Sequence, residues 1–165
     1  MLKRFSKRFF IILFTSLSVI GCSTENQHLS VDKFTLRSIK IEDSDAAMVR
    51  GDQQKRLYGA VTIAEHKQRI GQYYTLSWNL LNQEKLKTNH LNRTIQLVFR
   101  YKRASTGNKI KTTSKSYPFG TKQGKWAFNN IGQNYATGGR ILAWRAELIF
   151  GGQIISTKES FLWSK

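Results

Sequence analysis

The feature that most constrains this chain is the alternation of apolar and polar residues along two long segments. From Arg93 to Arg103, Ile95, Leu97, Phe99 and Tyr101 are interleaved with Thr94, Gln96, Arg100 and Lys102. From Arg140 to Phe150, Leu142, Trp144, Ala146, Leu148 and Phe150 fall on one side, and Arg145 and Glu147 on the other. Successive strand side chains point to opposite faces, so both segments are strands with one face to bury. Gln72 to Leu80 repeats the pattern, with Tyr74, Leu76 and Trp78 opposed to Tyr73, Thr75, Ser77 and Asn79. Tyr73 is an aromatic ring on an otherwise polar face. A single cysteine, Cys22, excludes an internal disulfide, so the domain must hold together through the core these strands enclose.

The remaining segments read as shorter elements around these three. Lys33 to Ile41 predicts a first strand, with a bulge where Ile39 and Ile41 fall out of phase with Phe34 and Leu36. Glu42 to Arg56 is polar and predicts a loop. It contains Arg50-Gly51-Asp52, which resembles the integrin-binding tripeptide, a match that hydrophilic loops produce by chance. Leu57 to Val61 predicts a short strand. Thr62 and Glu65 have the spacing of a capping box and predict one helix over about 63–70, with Gly71 as its left-handed exit; a continuous strand from Leu57 to His66 is the rival reading. Ala104 to Asn108 is a turn, and Lys109 to Tyr117 returns antiparallel to Arg93–Arg103. Lys125 to Phe128 predicts a short strand, and Asn129 to Gly139, rich in Asn and Gly, a loop. Gly151-Gly152 is a two-residue hairpin turn, where glycine permits positive φ. Gln153 to Trp163 comes back, with Ile155, Phe161 and Trp163 on one face.

Short alternating strands with turns every ten residues or so predict an all-β fold, an antiparallel immunoglobulin-like β-sandwich with one short helix. The layout resembles an immunoglobulin or fibronectin type III domain in architecture. The inter-sheet cysteine pair of antibody domains is absent, and the resemblance implies no activity.

A different kind of segment precedes the domain. Lys3, Arg4, Lys7 and Arg8 come before the apolar run Phe9-Phe10-Ile11-Ile12-Leu13-Phe14, with no acid among them. A charged start, a short apolar middle and a small residue before a cut predict a secretory signal peptide. The middle is shorter than the roughly 20 apolar residues of a spanning helix. Val19-Ile20-Gly21-Cys22 resembles the bacterial lipobox. The resemblance implies cleavage between Gly21 and Cys22 and attachment of lipid to Cys22. The chain then divides into a signal peptide (1–21), a lipidated tether (22–30) and a β-sandwich domain (31–165). Ser23 stands where aspartate would retain a lipoprotein in the inner membrane, which implies the outer membrane of a Gram-negative cell.

Enzyme chemistry finds little support in the residues, and no cofactor is called for. His28, His66 and His90 are scattered, and none has a neighbour at metal-ligand spacing. No nucleophile elbow, phosphate loop or dinucleotide fingerprint occurs. Glu42, Asp43 and Asp45 cluster on a polar loop, which holds acid–base geometry poorly. Charge is more informative. The chain has 27 basic and 10 acidic residues, and removing the four leader cations leaves an excess of 13. The 62 residues between Glu84 and Glu147 hold thirteen cations and no acid. Arg100 and Lys102 share the polar face of one strand, and the returning strand is expected to bring Lys109, Lys111 and Lys115 alongside them. Like charges facing one another cost a sheet up to about 1 kcal/mol per pair, a cost that an anionic partner offsets. The partners predicted are the membrane, through the N-terminal lipid, and an anionic lipid, an acidic glycan or an acidic protein. Nucleic acid is disfavoured, because lipidation holds the domain at the envelope. A non-catalytic binding module is the function these observations predict, with an accessory subunit of a secretion or surface assembly as the alternative.

Overall fold

Seven strands and three helices follow one another along the chain in a computed structural model, which describes residues 28–80, 94–118 and 120–164. They are β1 (Leu29–Leu36), α1 (Ala47–Leu57), α2 (Ile63–Gln68), β2 (Gly71–Asn79), β3 (Ile95–Arg103), β4 (Ile110–Tyr117), β5 (Gln123–Ile131), α3 (Gly132–Gly138), β6 (Ile141–Phe150) and β7 (Gln153–Glu159). The strands form two antiparallel sheets, one ordered β1-β2-β5 and the other β4-β3-β6-β7. The chain crosses between sheets after β2, β4 and β5, so the fold is a sandwich of two layers, as the alternation predicts.

The inner faces enclose one core. Leu29, Tyr74, Leu76 and Trp78 from the three-stranded sheet meet Ile95, Leu97, Phe99, Tyr101, Ala146, Leu148 and Phe150 from the other. Phe99 is its centre, with ring centroids 5.2 Å from Tyr74, 5.1 Å from Phe128 and 6.1 Å from Trp144. Tilted and stacked aromatic pairs of this kind add roughly 0.5–1.5 kcal/mol each beyond their buried area.

Two buried amides tie the sheets together at one end. Gln72 and Asn130 are paired across β2 and β5 and point inward. The Ile141 N–H donates to Gln72 Oε1 at 2.7 Å, and Gln72 Nε2 donates to the Ile141 carbonyl at 3.4 Å. Asn130 Nδ2 donates to the Gly139 carbonyl at 3.0 Å. β7 pairs with β6 only from Arg145 on, so at the start of β6 side-chain amides supply bonds that a strand neighbour would.

A second, smaller cluster lies on the outer face of the three-stranded sheet. Leu36 and Tyr73 pack there with Leu57 from the end of α1, bordered by Phe34, Ile39, Ile41 and Ile131. Helix α1 corrects the loop expected over Glu42–Arg56, and the turn after it replaces the short strand expected at Leu57–Val61. Arg50-Gly51-Asp52 therefore lies within a helix. The phase slip at Ile39 and Ile41 is also explained: β1 ends at Leu36, and the chain folds back so that both isoleucines cover this cluster. Helix α2 has its capping box as predicted, with Glu65 N donating to Thr62 Oγ1 at 3.2 Å and Thr62 N to Glu65 Oε2 at 3.1 Å.

Other expectations are corrected at element ends. β1 starts at Leu29, which is fully buried, inside the stretch expected to be tether. Gly71 is the first residue of β2 rather than a helix exit, and a Cβ built there meets Asn130 O at 2.3 Å. The loop expected at Asn129–Gly139 is the end of β5 followed by α3. Leu142 faces solvent because β6 changes register against β3 at Lys102/Arg103, so Ile141 and Ala143 are buried in its place. β7 stops at Glu159, leaving Phe161 exposed. The Gly151-Gly152 turn has φ of 55° and 83°, as a two-residue hairpin requires. Gly21, Cys22, the leader, most of the tether and His90 lie outside the described residues.

Candidate functional site

The hairpin of β3 and β4 exists, but its cations do not share a face. Arg100 is opposite Thr112 and Lys102 opposite Ile110, on the outer side of the sheet. Lys111 is opposite Tyr101 and Lys115 opposite Leu97, on the side of the core residues. The turn length sets this parity: odd residues pair with odd ones, and a connection one residue longer or shorter would reverse it. Lys111 and Lys115 escape burial because β4 is the edge of the wider sheet, where both side chains are exposed. Lys109 lies in the turn before β4 and is also exposed.

The outer-face cations are engaged locally. Glu147, only 4% exposed, sits between two guanidiniums, with Oε2 3.3 Å from Arg100 Nε and Oε1 3.0 Å from Arg145 Nε. Arg100 and Arg145 are directly opposite across β3 and β6, so this one carboxylate holds two like charges together. Lys102 Nζ stands 5.4 Å from the Trp163 ring centroid. Lys115 Nζ stands 5.4 Å from that of Tyr117. The expected five-residue patch thus separates into an exposed edge (Lys109, Lys111, Lys115) and an outer face where Arg100 faces an acid and Lys102 a ring.

A second basic region forms where sequence reasoning marked only Tyr73. A cleft of about 510 Å³ lies between α1, α2 and the three-stranded sheet, lined by Lys55, Arg56, Gln68, Arg69, Tyr73 and Asn129 among others. Tyr73 is its floor. The Arg56 guanidinium lies 4.4 Å from the Tyr73 ring centroid, and the Tyr73 hydroxyl donates to the Arg69 carbonyl at 2.5 Å. Arg69 Nη1 donates to the Arg56 carbonyl at 3.2 Å, closing a ring of mutual supports. Burial pushes the Tyr73 hydroxyl above its usual pKa, against the pull of Arg56 and Arg69, so it stays a neutral donor at physiological pH. The acid of the cleft, Glu65, is occupied: Val61 N donates to its Oε2 at 2.7 Å, and these backbone bonds hold its pKa below the ordinary value. The cleft therefore presents cations from the end of α1 and from Arg69, just after α2, with its carboxylate turned to capping.

The opposite end of the same sheet carries another cleft, of about 550 Å³, lined by His28, Ser30, Ser77, Trp78, Asn79, Gln123, Gly124 and Lys125. Gly124 is required there, because a Cβ would meet Trp78 Nε1 at 2.6 Å. His28 and His66 each contact a backbone carbonyl, of Asn79 and Thr62 respectively. Among the described residues no three His, Cys, Asp or Glu side chains converge as metal ligands, and no helix is long and apolar enough to cross a membrane.

The chain matches no protein-family model, no curated protein and no solved structure. Helix α1 gave no signal in the sequence beyond the absence of proline. Arg56 and Arg69 could have been found only by noticing that they flank a capping box next to the ring of Tyr73.

Proposed function

We propose that this chain is a non-catalytic binding module of the bacterial cell envelope, tethered to the outer membrane through a lipid on Cys22. Its sandwich, three strands facing four, supports reading it as a fibronectin type III-like domain, and it offers cations to an anionic envelope component or an acidic protein partner. The observation that carries the reading is the row of exposed lysines, Lys109, Lys111 and Lys115, at and before an edge strand of a strongly basic domain. Each lysine near an anionic surface contributes on the order of 1 kcal/mol. The same lysines also keep the β4 edge from pairing with other chains, an effect that needs no ligand. A binding measurement separates the two roles. In the full chain, replacing all three by glutamate is expected to lower the preference for anionic over neutral lipid vesicles at low salt by at least about tenfold. The anchor contributes equally to both vesicle types, so an unchanged preference rejects these lysines as contacts.

The open side of β4 supports a second reading, an accessory subunit of a secretion or surface assembly. Among the described residues β4 is paired only with β3, and a partner strand added there gains main-chain hydrogen bonds that salt does not screen. Crosslinked partners that stay bound in high salt favour this reading over the first.

A further inference from the structure

The pole of the molecule far from Leu29, the start of β1, combines exposed apolar side chains with cations. β1 runs from Leu29, opposite Trp78, to Leu36, opposite Gly71, so α1 and α2 stand at the end away from where the tether enters. The turn joining the two helices exposes Tyr58 (85%) and Val61 (86%), and the first residue of α2, Ile63, is exposed beside them (66%). These three lie within six consecutive residues, and the turn is fixed by Val61 N donating to Glu65 Oε2 and Ala60 N to the Leu57 carbonyl. Gly59 of this turn also lines the basic cleft, so the apolar tip borders Lys55, Arg56 and Arg69 directly. Lys67 is exposed on α2. The acids Glu42, Asp43 and Asp45 precede α1, about 16 Å away along its axis. Asp52 lies one turn before the cations, and Glu65 caps α2.

An exposed aromatic and two aliphatic side chains on a rigid turn, ringed by lysine and arginine, match the layered chemistry of an anionic lipid surface. Exposed apolar side chains mark protein and membrane partners alike, but a few of them on one turn, backed by cations, suit the headgroup layer, which needs no shaped partner surface. We infer that this pole docks on an anionic lipid surface, with Tyr58, Val61 and Ile63 entering the headgroup layer and Lys55, Lys67 and Arg69 meeting lipid phosphates. The inference rests on the envelope placement proposed above, but not on the β4 lysines.

The test is local. Val61→Cys in the full chain, labelled with a polarity-sensitive fluorophore, is mixed with vesicles of phosphatidylcholine alone or with about a third phosphatidylglycerol. The emission is expected to shift to the blue on the anionic vesicles only. Lys55→Glu with Lys67→Glu is expected to raise the lipid concentration giving half the shift by at least about twenty-five-fold, from two lost attractions of about fivefold each. Emission equal on both vesicle types overturns the inference, as does a shift that ignores the charge reversal. Failure of the anchor is read separately. An acylated Cys22 takes no label, so label found on Cys22 refutes the anchor, and the Cys22→Ser, Val61→Cys chain still reports on docking.

Discussion

Replacing Gln72 by leucine is expected to destabilise the fold by about 3 kcal/mol. The side chain is 1% exposed and is bonded at both its ends to the backbone of Ile141 in the opposite sheet. Leucine nearly conserves its volume, so the loss is not one of packing. It leaves the buried N–H and carbonyl of Ile141 without partners, at about 1–3 kcal/mol for each group. For a domain of this size the midpoint of thermal unfolding should fall by roughly 6–12 °C. Denaturant titration should show an earlier midpoint with an unchanged slope, and exchange of the Ile141 amide should accelerate. A variant that unfolds with the wild type would show that the two sheets do not depend on this amide.

The neighbouring residue should be at least as sensitive. Gly71→Ala is expected to cost about 3 kcal/mol or more, because two penalties coincide there. Its φ of 144° disfavours any side chain, and a Cβ would stand 2.3 Å from Asn130 O and 2.8 Å from Ile131 Cα. Both are backbone atoms, which cannot swing aside. Gly59 is the control. Its φ is 81° and nothing lies within 4 Å of a Cβ, so Gly59→Ala should show backbone strain alone, about 1 kcal/mol. Equal losses at the two sites would contradict the close approach of β2 and β5.

The central strands were legible because burial on one face leaves a period of two in the residues, and β2, β3 and β6 have it. β4 was found through the turn before it. Helix α1 left no such trace: only Leu57 of its residues is buried, so it has no apolar stripe to read, and Gly51 in its middle argues against a helix. Helix α3 was hidden by Gly132 and Gly138, which sequence rules assign to turns. Tertiary contacts on β5 and at the Ala104–Thr106 turn hold it.

The candidate surfaces were less legible still. Composition showed the excess of cations, but strand parity decides which face each one takes. That parity depends on one residue in the connection after β3. The pairing of Arg100 and Arg145 around Glu147 depends on register across β3 and β6, which no local pattern encodes. Tyr73 was visible as an anomaly, an aromatic ring among polar neighbours. Its meaning needed α1 and α2, which bring Arg56 and Arg69 against it.

The proposed function requires that this basic sandwich be attached to a membrane through Cys22. Mass spectrometry of the N-terminal peptide, from full-length gene product purified out of bacterial membranes, tests that most directly. The account predicts a chain starting at Cys22 with a diacylglyceryl group on its sulfur. A chain that keeps Met1, or a mature Cys22 with an unmodified thiol, would contradict it.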